Sequence, residues 1–468
     1  MKSLLKIAML LSAIFTALVQ RGNAADINKD GHVDWEDFTI IADNWLWHLK
    51  KAAPGETMIT HICSPENGNI PVRVQLPELP RYPEGAPVVV VASTWFVKKY
   101  TPRFVSFDVK YDPTEVGAIF VTHLWPGKED PETGASSQGT YDYGGPNSLA
   151  ALRDTILFAS GALPDTHGYY IGELMEMKPL TNNVGLYASS HAGVVATNVL
   201  AYHAENLSCI KYFVGRENPT RDEMYALEFG HFDEQRNPVF NPYYDPAGYT
   251  PNSISIDFSH LGWIQNQDYP EGMPYFEVPA GPDHILPGTG PDMEGKRYFS
   301  RALTRALLAN GVFTLDNWPT DLAKPQETEN FWPYRITVRN YYRFRALPNL
   351  KVMLVFARDD HVQAAPDKPH IRQAYDGFRK IAGLWVRLNA DEVYFLDLDD
   401  TLNEYPENVS NTEPSDWMDA RQWGYPAGYG SQLYVYTGSM AGIAEMADRV
   451  QANNWSDNLD QILYEYVK

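Results

Sequence analysis

Ser190 stands where a serine can act as a nucleophile. It falls in Ala188-Ser189-Ser190-His191-Ala192-Gly193, between a strand-like stretch over 184 to 188 and a helix-like one over 192 to 204. Small residues two before and two after leave room for a strained turn at the head of a helix. There the helix N-terminus and the next backbone N–H, on His191, stabilise an oxyanion. A serine at such a place also serves as a plain helix N-cap. Asp359, in Arg358-Asp359-Asp360-His361-Val362, follows another strand-like run and is the candidate acid, with Asp360 as its alternative and an ordinary turn as the other use of this pair. A serine hydroxyl also needs a base. His123, His191 and His361 all follow strand-like runs, where an α/β sheet gathers its site, and their spacing matches no compact metal motif.

A second constellation is built from oxygen alone. Asp26, Asn28, Asp30, Asp34 and Asp37 sit at positions 1, 3, 5, 9 and 12 of one short loop. Gly31 permits its sharp turn and His32 offers a backbone carbonyl. Calcium takes about six to eight oxygens, and this is EF-hand spacing. The loop ends on Asp37 where an EF-hand usually has Glu, and it runs into DFTIIADNWLWHL, which has helical periodicity. Residues 25 to about 49 therefore resemble one repeat of a dockerin, a module that anchors secreted polysaccharide-degrading enzymes. The resemblance implies a structural calcium ion and a cohesin-like partner. A dockerin carries two repeats, and only one is found here. A calcium clip without any partner, or an acidic turn without metal, are the other readings.

The elements that would position these groups alternate. A leading hairpin is expected in HICSPENGNIPVRVQLP, and strands at 87 to 93 and 117 to 127, whose continuous apolar runs suit strands buried on both faces. A helix over 147 to 161 ends on a glycine. Strand 184 to 188, helix 192 to 204 and strand 209 to 215 follow. Residues 216 to 297 are rich in Pro, Gly, Asn, Tyr and Phe and read as an insertion over the carboxyl edge of the sheet. Helices are then expected near 298 to 311 and 325 to 346, strand 350 to 357, helix 367 to 388 and strand 392 to 398. The expected fold class is α/β, a doubly wound and mostly parallel sheet.

With its serine turn, acid turn and alternating elements, most of residues 59 to 400, within a domain over 59 to 468, resembles an α/β-hydrolase with a lid-like insertion. The resemblance implies Ser190 as nucleophile, Asp359 as acid, and oxyanion donors on His191 and on Thr94 or Trp95. Three departures stand out in the sequence. Alanines replace both glycines of Gly-x-Ser-x-Gly, no His-Gly follows strand 87 to 93, and no histidine lies beyond His370. The family places its base after the last strand, where this chain has Asp397, Asp399 and Asp400. The base then falls to His361, or failing that His123. Otherwise the fold is catalytically silent and serves as an exported binding protein.

Lys2, Lys6, the apolar run Ile7 to Val19 and then Gly22-Asn23-Ala24 form a signal peptide pattern over 1 to 24. The run is short of the roughly 20 residues a spanning helix needs. Export, to a secreted, periplasmic or cell-surface location, is the expectation, with an uncleaved anchor as its alternative. The net charge of -21 opposes binding to nucleic acid or anionic membranes, and no membrane insertion is expected after cleavage. Cys63 and Cys209 could pair in an oxidising compartment or remain free. The function expected is hydrolysis of an ester or amide in a small-molecule or polysaccharide-linked substrate, without organic cofactor. A glycosidase reading rests on the dockerin association and abundant carboxylates.

Overall fold

A computed structural model describes residues 51–92, 107, 114, 116–222, 230–232, 238–245, 255–278, 284–285, 292–293, 296–356, 369–390 and 431–456. Pro65, Glu66 and Asn67 reverse the chain between β1 (Thr57–Ser64) and β2 (Gly68–Gln75), with the Asn67 N–H donating to Ser64 O at 3.1 Å. Gly68 adopts a φ of 85°, and a β-carbon there would collide with the Gln138 amide. The expected hairpin is formed.

β3 (Ala86–Ala92) and β4 (Ile119–His123) are buried along their whole length. Their continuous apolar runs suit strands covered on both faces. α1 (Pro146–Ala159) starts on a proline, whose missing N–H costs nothing in a first helical turn. β5 (Pro179–Ser189), α2 (Ala192–Tyr202) and β6 (Ile210–Arg216) follow. After the insertion come α3 (Arg301–Ala309), α4 (Pro325–Phe331), β7 (Lys351–Val355), α5 (Pro369–Arg379), β8 (Trp385–Leu388) and α6 (Ser431–Ala452).

The main sheet runs β1-β2-β4-β3-β5-β6-β7-β8. From β4 to β8 every neighbouring pair is parallel, while β2 is antiparallel to both β1 and β4. One face carries α1, α2 and α5 over Val88, Val90, Ile119, Val121, Leu186, Phe213 and Leu354. The other face carries the described part of α6 over Val89, Val91, Phe120, Tyr187, Tyr212, Val214 and Met353. Helices on both faces of a largely parallel sheet make this an α/β fold, as expected.

Several elements differ from the sequence expectation. The helix expected over 325 to 346 is only α4, followed by 3₁₀ turns Trp332–Arg335 and Tyr341–Ala346. Pro333 supplies no N–H to continue the helix. The helix expected over 367 to 388 ends at Arg379. Gly383, at φ 82°, turns the chain, and Trp385, Val386 and Leu388 pair with β7 as β8. The strand expected over 392 to 398 lies outside the described residues. The insertion is not featureless: Leu261–Ile264, Met273–Glu277 and His284–Ile285 form a small antiparallel sheet, beside two isolated hairpins. α6 was not foreseen. Cys63 and Cys209 are free thiols. Among the described residues, no helix is long and apolar enough to cross a membrane.

Candidate active site

β5 ends at Ser189 and α2 begins at Ala192, leaving Ser190 and His191 to turn the chain. Ser190 has φ 53°, the left-handed region that an L-residue occupies only under constraint, at about 1 to 3 kcal/mol. The constraint is visible. The Ser190 N–H donates to Arg216 O of the neighbouring strand at 2.8 Å, and Ser190 O accepts from Gly193 N–H at 2.9 Å. Ala188 and Ala192 are fully buried on either side. Larger side chains there would have no room, so the alanines do the work of the glycines that the sequence lacks. Ser190 itself is half-buried.

The Ser190 Oγ lies 3.5 Å from His191 Nδ1. An edge of His191 meets solvent, but its Nε2 is buried. Burial, with the nearby Arg335 cation adding to it, presses the imidazolium down to about 3. The ring is therefore neutral and a feeble base. Arg335 is 2% exposed, and burial lowers its guanidinium to about 9. It donates to Phe331 O at 3.1 Å and Asp142 O at 3.4 Å, and its guanidinium lies 3.5 Å from the Phe331 ring centre. α2 holds this turn in place through Asn198, which donates to Tyr334 O at 2.8 Å and accepts from Asn340 Nδ2 at 2.9 Å.

His123 is the last residue of β4, at the same edge of the sheet. Its ring is fully buried, edge-on to Trp125 at 4.5 Å, and neither nitrogen has a hydrogen-bond partner among the described residues. Burial takes it down to about 3. It makes no hydrogen bond to Ser190. Thr94, Trp95, Asp359, His361 and the calcium loop, Asp26, Asn28, Asp30, His32, Asp34 and Asp37, lie outside the described residues. Among the described residues no cluster of three or more metal-ligating side chains occurs.

One pair at this edge escaped the sequence reading. Glu217 directly follows β6 with φ 46°, a second strained non-glycine beside Ser190 in the row of strand ends. Its N–H donates to Val355 O at 2.9 Å. Its Oε2 lies 2.5 Å from Nε2 of His370, in the first turn of α5, and both side chains are buried. The signal available in the sequence was a lone carboxylate at the end of the strand next to the nucleophile. Nothing marked its partner, 153 positions away.

No family model matches this chain, and no curated protein matches it. Solved structures similar to it include an arylesterase at 13% identity and a TM-score of 0.27, where the match spans 46% of this chain and 61% of the arylesterase. An esterase of Rhizomucor miehei matches at 11% identity and 0.39, over 95% of this chain and 98% of that one. A thermostable esterase from Pseudomonas putida matches at 10% and 0.38, over 96% and 97%. Superpositions this loose leave the fold resting on the sheet order itself.

Proposed function

We propose that this protein is an exported serine hydrolase acting on ester or amide bonds, with Ser190 as nucleophile. The observation that carries the reading is the left-handed backbone of Ser190, between the end of β5, where it pairs with β6, and the head of α2. Strain of this kind projects a side chain away from both elements and persists only where the surroundings enforce it. The Ser190 oxygen attacks the carbonyl carbon, and the developing oxyanion meets the N-terminus of α2 with the His191 N–H at its head. Arg335 adds positive charge beside this turn. A polysaccharide-linked ester and a calcium-bound loop at 26 to 37 complete the reading, from the dockerin-like repeat alone.

A second reading has a specific observation in its favour. Both imidazoles singled out near the serine within the described residues, His191 and His123, are held at about 3, which suits a silent fold used for binding. A fluorophosphonate probe separates the two. Covalent labelling of the wild type and none of Ser190→Ala is the outcome for a hydrolase. A folded wild type that never labels points to the binding protein.

A further inference from the structure

We propose that the buried Glu217–His370 pair is the proton acceptor for Ser190, reached through one bridging water, in place of the histidine that the chain lacks after its last strand. The inference rests on the serine-hydrolase reading and supplies its base. Glu217 Oε2, as a carboxylate oxygen, can only accept, so His370 Nε2 carries the proton in their 2.5 Å contact. In this role His370 is the neutral tautomer protonated at Nε2. His370 Nδ1 then holds a lone pair, and this atom is buried without a hydrogen-bond partner among the described residues. A neutral imidazole oriented by a carboxylate, with its other nitrogen open, is the arrangement a general base needs.

The pair is tied to the nucleophile by backbone bonds. Ser190 N–H donates to the carbonyl of Arg216, and Glu217 is the next residue. The residue after Glu217 is Asn218, 7% exposed, whose amide oxygen and nitrogen are both buried without partners among the described residues. Its side chain packs against Gly193, in the first turn of the helix that follows Ser190, and against Gly215 on β6. Buried polar atoms left unpaired cost about 1 to 3 kcal/mol each, and an internal water needs about two to four such partners. Asn218 and His370 Nδ1 are the unpaired buried groups that would hold such a water. The backbone strain at Glu217 has the same local meaning as that at Ser190: the fold holds this carboxylate where an unconstrained chain would not.

The chemistry balances without any further reagent. As Oγ bonds to the carbonyl carbon, its proton passes through the water to His370 Nδ1, and the carbonyl π pair moves to oxygen. Collapse of the tetrahedral species breaks the bond to the leaving group, which takes the proton back from the imidazolium. Hydrolysis of the acyl-serine repeats the sequence with a water as nucleophile. Glu217 is a positioning residue throughout, holding the tautomer and stabilising the imidazolium.

The test is the second-order rate of Ser190 labelling by a fluorophosphonate. His370→Gln lowers it at least about 100-fold, and Glu217→Gln and Asn218→Ala at least about 10-fold. Because the buried substitutions risk misfolding, the wild type supplies a second readout. In protein labelled with ¹⁵N-histidine, the His370 ring resonances shift when Ser190 is phosphonylated. Labelling of the wild type with unchanged rates in His370→Gln and Asn218→Ala, or unmoved His370 resonances on phosphonylation, overturns this inference and leaves the serine reading intact. A wild type that never labels overturns the serine reading and this inference with it.

Discussion

Asn218 leaves no space for a side chain on Gly193: a β-carbon built there would stand 1.8 Å from the Asn218 Cγ. The side chain of Asn218, on the loop after β6, thus packs directly on the backbone at the head of α2, three residues after the nucleophile. Gly193→Ala is expected to cost about 1 to 3 kcal/mol by overpacking and to slow Ser190 labelling. Adding Asn218→Gly to that variant is expected to recover the stability. Denaturant midpoints of the four proteins in this cycle check the coupling, and independent, additive losses would mean the two residues do not compete for one space.

His123 makes stability depend on pH in a definite direction. The folded imidazole stays neutral to about 3 because of burial, whereas the unfolded one takes a proton near 6.5. Its contribution is therefore intact above 6.5 and is lost as pH falls toward 3. Relative to wild type, His123→Leu is expected to gain about 2 kcal/mol between pH 7.5 and pH 5. Urea unfolding of both proteins at the two pH values measures this, and a difference that does not change with pH would contradict the burial argument.

Arg335 is expected to act on His191 by charge. Arg335→Met removes the smaller of the two causes that hold the His191 imidazole at about 3, so its titration moves upward but stays below the ordinary value while burial remains. Arg335→Lys keeps the charge and leaves that titration where it is, though it loses the planar stack on Phe331. A proton NMR titration, with His191→Gln for assignment, separates these outcomes.

The N-terminal loop gives the remaining prediction. Asp26, Asn28, Asp30, Asp34 and Asp37 stand at calcium-ligand positions. Calorimetry on the protein lacking residues 1 to 24 is expected to show calcium binding, and Asp30→Ala to abolish most of its heat. Absence of heat in the parent protein, or its full retention in Asp30→Ala, rules the site out.

The legible parts of this fold were those whose signal is local. Val88 to Val91 and Ile119 to Val121 announce buried strands by composition, and the Ala188 to Gly193 turn announces itself by its small residues. Where two local signals compete, the sequence is ambiguous. Trp385 to Leu388 continues a helical periodicity as well as it starts a strand, and only its pairing with β7 decides the matter. Glu217 and His370 gave no sign of each other, because a hydrogen bond between residues on different elements follows from the winding of the sheet and from no spacing along the chain. Of the three histidines read as following strands, His361 lies outside the described residues, and His123 and His191 are where the sequence put them. What the sequence did not convey is how far burial weakens them as bases.

α6 covers the far face of the sheet with residues made long after the strands beneath them. Tyr187 donates to Ser439 Oγ at 2.9 Å across 252 positions, Asn183 to Ala447 O across 264, and Arg81 pairs with Asp448 across 367. During synthesis from the N-terminus, Val89, Val91, Tyr187, Tyr212 and Val214 must wait for this helix before their face of the core is closed. Contacts that distant in sequence close slowly, and the sheet is sticky while it waits. The topology therefore delays the closing of this face until residues 431–452 have been made, and docking of α6 becomes the step that seals it.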